Sequence, residues 1–183
     1  MFRRFLGLGC ALFLFSPSGC DTSKIPGLWQ EYQHPTYRFT ARIPRTWDIK
    51  TDGLRGADVV FMAPKDDPLF RASVNVTVQR RKSPEMTLDR LIDLSAKQLS
   101  FIFQDYQVLS RAPNQIGNLS GQELRARYQG PEGPRIIRTI VSLTRDSQYV
   151  VTFSCRENRE GDLLRTFERI RRSFHFSTNL SDG

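Results

Sequence analysis

Apolar and polar residues alternate with a period of two over most of this 183-residue chain. Residues 72–79 show the pattern clearly, because Val74, Val76 and Val78 alternate with polar residues. Such alternation is typical of strands that bury one face of a sheet. The same reasoning predicts further strands at residues 37–43, 47–49, 58–63, 106–112, 119–128, 135–144 and 148–155.

The spacing of apolar residues becomes helical in two places. Residues 88–103 carry apolar side chains three or four positions apart, and residues 163–174 repeat this pattern near the C-terminus. Ser83 or Thr87 can cap the first helix, because a hydroxyl at the N-cap accepts a hydrogen bond from a free backbone N–H. Each helix has a single apolar face, so each needs a sheet to pack on.

The order of strands, helix, strands and helix predicts an α+β fold rather than an α/β fold. The Gly-Pro-Glu-Gly-Pro run at 130–134 marks a hairpin turn. Short links between strands require antiparallel pairing. We therefore expect a twisted antiparallel β-sheet of six or seven strands covered by helices. Residues 36–176 are expected to form this one domain, followed by a flexible tail at 177–183.

The first nineteen residues have the pattern of a secretory signal peptide. Arg3 and Arg4 precede an apolar run at residues 5–15. That run is too short to cross a bilayer as a helix, which needs about 20 apolar residues. Small residues then lead to Cys20, as in the lipobox of bacterial lipoproteins. We predict that residues 1–19 are removed and that Cys20 is lipidated; an ordinary signal peptide cut just before Cys20 is the alternative.

This N-terminus predicts a domain outside the cytoplasm, anchored to a membrane through the lipid on Cys20. Residues 20–35 are polar and contain prolines, so they are expected to form a tether. Trp29 and Tyr32 can either pack on the domain or lie at the lipid headgroups. Removing Arg3 and Arg4 leaves 25 of the 27 Lys and Arg residues, against 19 Asp and Glu. Export argues against nucleic acid as a partner and favours anionic headgroups or an acidic protein.

Cys155 is the one cysteine that stays within the domain, because Cys10 leaves with the signal peptide and Cys20 is the predicted lipid site. A framework of disulfides is therefore not available. We expect Cys155 to be a small buried strand residue. A disulfide between Cys20 and Cys155 is the alternative if Cys20 carries no lipid.

The sequence offers little for catalysis or metal binding, and we expect neither an enzyme nor a bound cofactor. The two histidines, His34 and His175, flank the domain, whereas a Ser–His–Asp triad needs a histidine inside the fold and a zinc site needs clustered ligands. Asp66 and Asp67 could help to bind a cation but are more typical of a solvated turn. A small ligand held between the sheet and the long helix remains an alternative.

Three arginines stand out on the closing helix. Arg165, Arg169 and Arg172 lie at positions i, i+4 and i+7, opposite the apolar side of the helix. A solvated face balanced by nearby acids is the preferred interpretation. A face that docks on an anionic surface is the alternative.

Segments across residues 36–176 resemble the PsbP family and, more widely, proteins of the DcrB type. Most of the matched positions are aromatic or β-branched. They are Tyr37-Arg38-Phe39, Ile43-Pro44, Trp47, Asp58-Val59-Val60-Phe61, Val74-Asn75-Val76, Val78, Thr87-Leu88, Leu91 and the segments 149–153 and 167–174.

The resemblance implies a non-enzymatic protein on the lumenal side of a thylakoid membrane. Separately, we expect the domain to be a monomer. PsbP proteins are extrinsic subunits or assembly partners of photosystem II at its oxygen-evolving side, and cyanobacterial members are lipoproteins. Calcium association also follows from the resemblance, although no metal ligands of the family map onto this sequence. A general cell-envelope lipoprotein of DcrB type is the alternative, on the periplasmic face of a membrane.

Overall fold

The computed structural model describes residues 28–65, 70–81, 83 and 85–176. These residues form strands and two α-helices, none of them long and apolar enough to cross a membrane as a helix. The elements are β1 (Trp29–Gln33), β2 (Thr40–Pro44), β3 (Asp48–Lys50), β4 (Val59–Met62), β5 (Ser73–Arg80), α1 (Leu88–Ile102), β6 (Gln104–Ile116), β7 (Leu119–Gly130), β8 (Gly133–Leu143), β9 (Ser147–Arg156) and α2 (Glu160–Ser173).

Seven of the strands form one antiparallel sheet in the order β3-β4-β5-β9-β8-β7-β6. Strands β1 and β2 pair separately as an antiparallel hairpin. The predicted α+β fold and the predicted number of strands are therefore confirmed. Short turns join β6 to β9 in sequence, which is why this half of the sheet is a continuous meander.

The two faces of the sheet are covered by different elements. Helix α2 and the β1–β2 hairpin pack on one face, where Val76, Val151, Phe153 and Phe167 are buried in the main core. Helix α1 packs on the other face over β6, β7 and β8. Because side chains alternate along a strand, β7 and β8 contribute to both sides.

The tether predicted for residues 20–35 is wrong for residues 29–33, which form β1. Trp29 pairs with Pro44, and both Trp29 and Tyr32 pack against the main core. The sequence WQEYQ shows no clear alternation, so the strand is specified by these tertiary contacts rather than by its pattern. The N-terminal part of the predicted tether, together with Cys20, and the tail at 177–183 lie outside the described residues.

The strand predicted at 37–43 begins later, at Thr40, because residues 34–39 form a turn. The carbonyl oxygen of His34 accepts a hydrogen bond from the backbone N–H of Arg38 (3.1 Å), and Arg38 has a left-handed φ of 50°. Thr87 is the N-cap of α1, since its hydroxyl accepts a hydrogen bond from the backbone N–H of Arg90.

Candidate functional site

The three arginines predicted on the closing helix lie on one side of α2, but they differ in their contacts. Arg165 is exposed, and Arg172 is 71% exposed, with its Nε 3.7 Å from Glu168. The guanidinium of Arg169 instead lies over the ring of Trp29 in β1, 4.2 Å from its centroid. The structure therefore joins this side of α2 to the start of the described chain.

Two further arginines lie beside the same contact. The backbone N–H of Arg45 donates to the carbonyl of Leu28 (2.9 Å), and the backbone N–H of Arg42 donates to the hydroxyl of Ser173 at the end of α2 (2.8 Å). Both arginine side chains are exposed. The basic corner is defined here by its residues, Arg42, Arg45, Arg165, Arg169 and Arg172 around Leu28 and Trp29.

Positive charge on the sheet beneath α2 is neutralised, unlike that of the basic corner. Arg125 makes two hydrogen bonds to Glu160 (2.8 and 2.5 Å), and Arg138 lies 2.7 Å from Glu123. The Arg125 guanidinium lowers the pKa of Glu160 below its ordinary value, which is the expected effect of a cationic donor. By contrast, Arg42, Arg45 and Arg165 form no ion pair within residues 28–65, 70–81, 83 and 85–176.

The opposite end of the β1–β2 hairpin holds a polar cluster that the sequence did not predict. His34, Tyr32, Tyr37 and Asp58 line a cavity of about 430 Å³. His34 is buried, and its Nδ1 accepts hydrogen bonds from the backbone N–H groups of Thr36 and Tyr37 (3.2 Å each). Because Nδ1 accepts these bonds, the proton of the neutral imidazole is on Nε2. The His34 side chain thus satisfies two backbone N–H groups of the turn that it begins.

The charge of Asp58 and the burial of its neighbours shape this cluster. Burial raises the pKa of Tyr32 and of Tyr37, and the Asp58 carboxylate raises both further. The carboxylate itself accepts a hydrogen bond from the backbone N–H of Val78 (2.6 Å). The Tyr32 hydroxyl is buried and has no hydrogen-bond partner among the residues that the structure describes.

His34 should make the protein less stable in acid. Burial lowers the pKa of His34 below its ordinary value of 6.5, opposed by the charge of Asp58 and a backbone hydrogen bond to that residue. Below about pH 6.5 the unfolded chain therefore binds a proton that the folded chain refuses, and the free energy of unfolding falls as pH falls. The free energy of unfolding in urea is measured at pH 7.5 and at pH 5.0. Its decrease between these two pH values should be smaller for His34→Asn than for the unmodified chain.

Asparagine is the matched replacement because its Oδ1 takes the position of Nδ1 and accepts from the same two N–H groups. The free energy of unfolding of His34→Asn at pH 7.5 should be lower than that of the unmodified chain by about 1–2 kcal/mol, because asparagine loses the ring contacts with Tyr37 and Phe39. His175→Asn, at an exposed position, is the control. The interpretation would be contradicted if His34→Asn lost as much unfolding free energy between pH 7.5 and 5.0 as the unmodified chain. It would also be contradicted if His175→Asn reduced that loss as much as His34→Asn does.

A second cavity of about 630 Å³ adjoins the first and shares Thr36 and Tyr37 with it. Arg80, Arg81 and Arg145 line it, so it is cationic. Neither cavity lies between α1 and the sheet, where the small-ligand alternative would place one. That contact is instead filled by buried side chains, which are Ile92, Ala96, Leu124 and Val141.

Metal ligands do not cluster in the described part of the chain, where no three His, Cys, Asp or Glu side chains are placed to hold one ion. His175 is exposed and lies beside Thr40 in an isolated antiparallel bridge. Asp66 and Asp67, the other sequence candidates, are outside the described residues.

Cys155 is a free, buried cysteine on β9. Burial raises the pKa of its thiol to about 12, and Glu160 adds to this effect. Because the thiolate is the reactive form, we expect no reaction with a disulfide reagent such as DTNB in the native mature chain with Cys20→Ser, which lacks Cys10. One thiol should react after unfolding in urea; rapid labelling of the native protein would contradict this prediction.

No protein-family model matches this chain, and no curated protein matches its sequence. Solved structures do match, and they define the fold as PsbP-like. The solution structure of cyanobacterial PsbP (CyanoP) from Synechocystis sp. PCC 6803 is similar with a TM-score of 0.61 and 19% identity, covering 88% of this chain and 100% of that protein.

Two other bacterial structures share the fold. LpqN of Mycobacterium tuberculosis, which is involved in cell envelope biogenesis, matches with a TM-score of 0.63 and 12% identity, over 81% of this chain and 90% of LpqN. PA94 of Pseudomonas aeruginosa, a protein of unknown function, matches with a TM-score of 0.53 and 13% identity, over 80% of this chain and 96% of PA94. The resemblance read from the sequence is therefore confirmed at the level of the fold.

Proposed function

We propose that this chain is a non-enzymatic accessory lipoprotein, anchored through Cys20, whose PsbP-like domain works by protein contact at a membrane surface outside the cytoplasm. The observation that carries the proposal is the PsbP-like fold directly following a Ser18-Gly19-Cys20 lipobox. The basic corner supports it, because its arginines surround the residues at which the anchored segment joins the domain. Three of them, Arg42, Arg45 and Arg165, have no ion-pair partner among the described residues.

Two settings for this function are proposed. Association with photosystem II as an extrinsic or assembly subunit is supported by the similarity to CyanoP, whose whole length is matched. A general role in the cell envelope is supported by the similarity to LpqN, which is involved in cell envelope biogenesis. Both settings need the same anchor and the same monomeric domain, with no nucleic acid and no bound cofactor.

The anchor is tested by feeding cells labelled palmitate and isolating the protein. The unmodified chain should incorporate label and sediment with membranes, whereas Cys20→Ala should do neither. Mass spectrometry of the mature N-terminus should find an acylated Cys20. Unlabelled protein that is released from the membrane by salt alone would overturn the lipoprotein proposal.

The setting is tested by affinity purification from detergent-solubilised membranes and by deletion of the gene. Co-purification with photosystem II, together with impaired oxygen evolution or assembly after deletion, supports the first setting. Normal oxygen evolution together with an envelope defect supports the second. A native host that does not photosynthesise would exclude the photosystem directly.

A further inference from the structure

We propose that the basic corner rests on the anionic headgroups of the membrane that carries the lipid anchor. The domain would then lie on the bilayer with α2 and the β1–β2 hairpin toward the lipid. This inference deepens the proposed function and takes the anchor at Cys20 from it. The surface itself is argued from the contacts and charges of the described residues.

The covalent chain limits how far the basic corner can be from the lipid. Eight residue steps separate Cys20 from Leu28, so even a fully extended chain spans at most about 28 Å. Arg45 is hydrogen-bonded to Leu28, and Arg169 is stacked on Trp29. Any acylated form of the protein therefore keeps these arginines within about 28 Å of the lipid, so they can reach the headgroup layer.

The charge of the corner suits an anionic surface. Its acidic neighbours include Glu31, which faces Arg42 in the register of β1 and β2, and Glu168, which lies beside Arg172 but is hydrogen-bonded to Arg171. Asp162, one turn before Arg165 on α2, is paired with Arg159. The five arginines therefore outnumber these three acids, and Arg45 and Arg165 have none of them as an ion-pair partner. Exposed basic side chains gain from an anionic leaflet only within about one Debye length of it, roughly 8 Å.

The side chains at the corner also match the chemistry of a headgroup layer. Guanidinium groups form paired hydrogen bonds with phosphate, and tryptophan favours the boundary between headgroups and acyl chains. Leu28 is 43% exposed next to the half-buried Trp29. Docking through this surface places α1, on the other face of the sheet, away from the bilayer.

The test uses the full mature chain with Cys20→Ser, so that no protein-bound lipid contributes. Co-sedimentation is measured with vesicles of mixed phosphatidylglycerol and phosphatidylcholine, and with phosphatidylcholine alone. We compare the unmodified corner with the triple variant Arg45→Gln, Arg165→Gln and Arg172→Gln. The control triple variant, Arg80→Gln, Arg90→Gln and Arg145→Gln, removes the same charge from exposed positions elsewhere.

The starting chain and the control variant should bind the anionic vesicles, and added salt should weaken that binding. The corner variant should bind on the order of 100-fold more weakly. Binding by the corner variant equal to that of the starting chain would overturn the proposal. Equal losses in both triple variants, or equal binding to neutral and anionic vesicles, would overturn it as well. Palmitate labelling tests the anchor separately, so either proposal can fail alone.

Discussion

Replacing Gly117 with alanine should destabilise the domain by at least about 3 kcal/mol, because the new methyl group has no space. Gly117 lies between β6 and β7 with a left-handed φ of 55°. A Cβ at this position would lie far closer to the Phe174 carbonyl oxygen than van der Waals contact between carbon and oxygen allows. The backbone N–H of Gly117 donates to the carbonyl of Arg171 (2.9 Å), so the turn cannot move away without breaking that bond.

Urea unfolding measures this loss, and Gly53→Ala is the matched control. Gly53 has a similar φ of 73°, but nothing lies within 4 Å of the Cβ that alanine would add. Its replacement should cost only the left-handed conformation, about 1–2 kcal/mol. If both variants lost the same free energy of unfolding, the left-handed backbone conformation alone would account for the loss. Gly117 and Phe174 would then not be in close contact.

Alternation predicted the interior strands well, because burial of one face is what the pattern records. Strand β5 was predicted at 72–79 and lies at Ser73–Arg80. Strand β6 was predicted only at 106–112 but extends over Gln104–Ile116. Its ends were missed because it lies at the edge of the sheet, where most of its side chains are exposed and no apolar alternation is required. Strand β1 was missed for a related reason, since its stability comes from Trp29 and Tyr32 packing on distant parts of the chain.

Only the part of the basic corner that lies on a single helix, α2, could be predicted from the sequence. Helical spacing placed Arg165, Arg169 and Arg172 on one side of α2, which the structure agrees with. The stacking of Arg169 on Trp29 joins residues far apart in the sequence, and no local pattern encodes such a pair. The same limit applies to the cluster of His34 with Asp58, because each side chain taken alone is unremarkable in sequence.

Arg171 was not singled out from the sequence, although helical spacing places it i+4 from Phe167 and i−3 from Phe174, at the edge of the apolar face. Its side chain is only 6% exposed, and it joins the end of α2 to β6. Nε and a terminal nitrogen donate to one oxygen of Glu168 (3.1 and 2.5 Å), and the other terminal nitrogen donates to the carbonyl of Gln115. A buried charge of this kind is stable only while its hydrogen bonds are kept.

Arg171→Met should therefore lower the free energy of unfolding by about 3 kcal/mol, because it keeps the aliphatic stem and removes every one of these hydrogen bonds. Arg172→Met is the matched control, since Arg172 contacts the same Glu168 from 3.7 Å but is 71% exposed. An exposed ion pair contributes little, so this variant should lose at most about 0.5 kcal/mol. Equal effects in urea unfolding would contradict the assignment, because they would mean that the charge of Glu168, rather than the burial of Arg171, determines the stability of this end of α2.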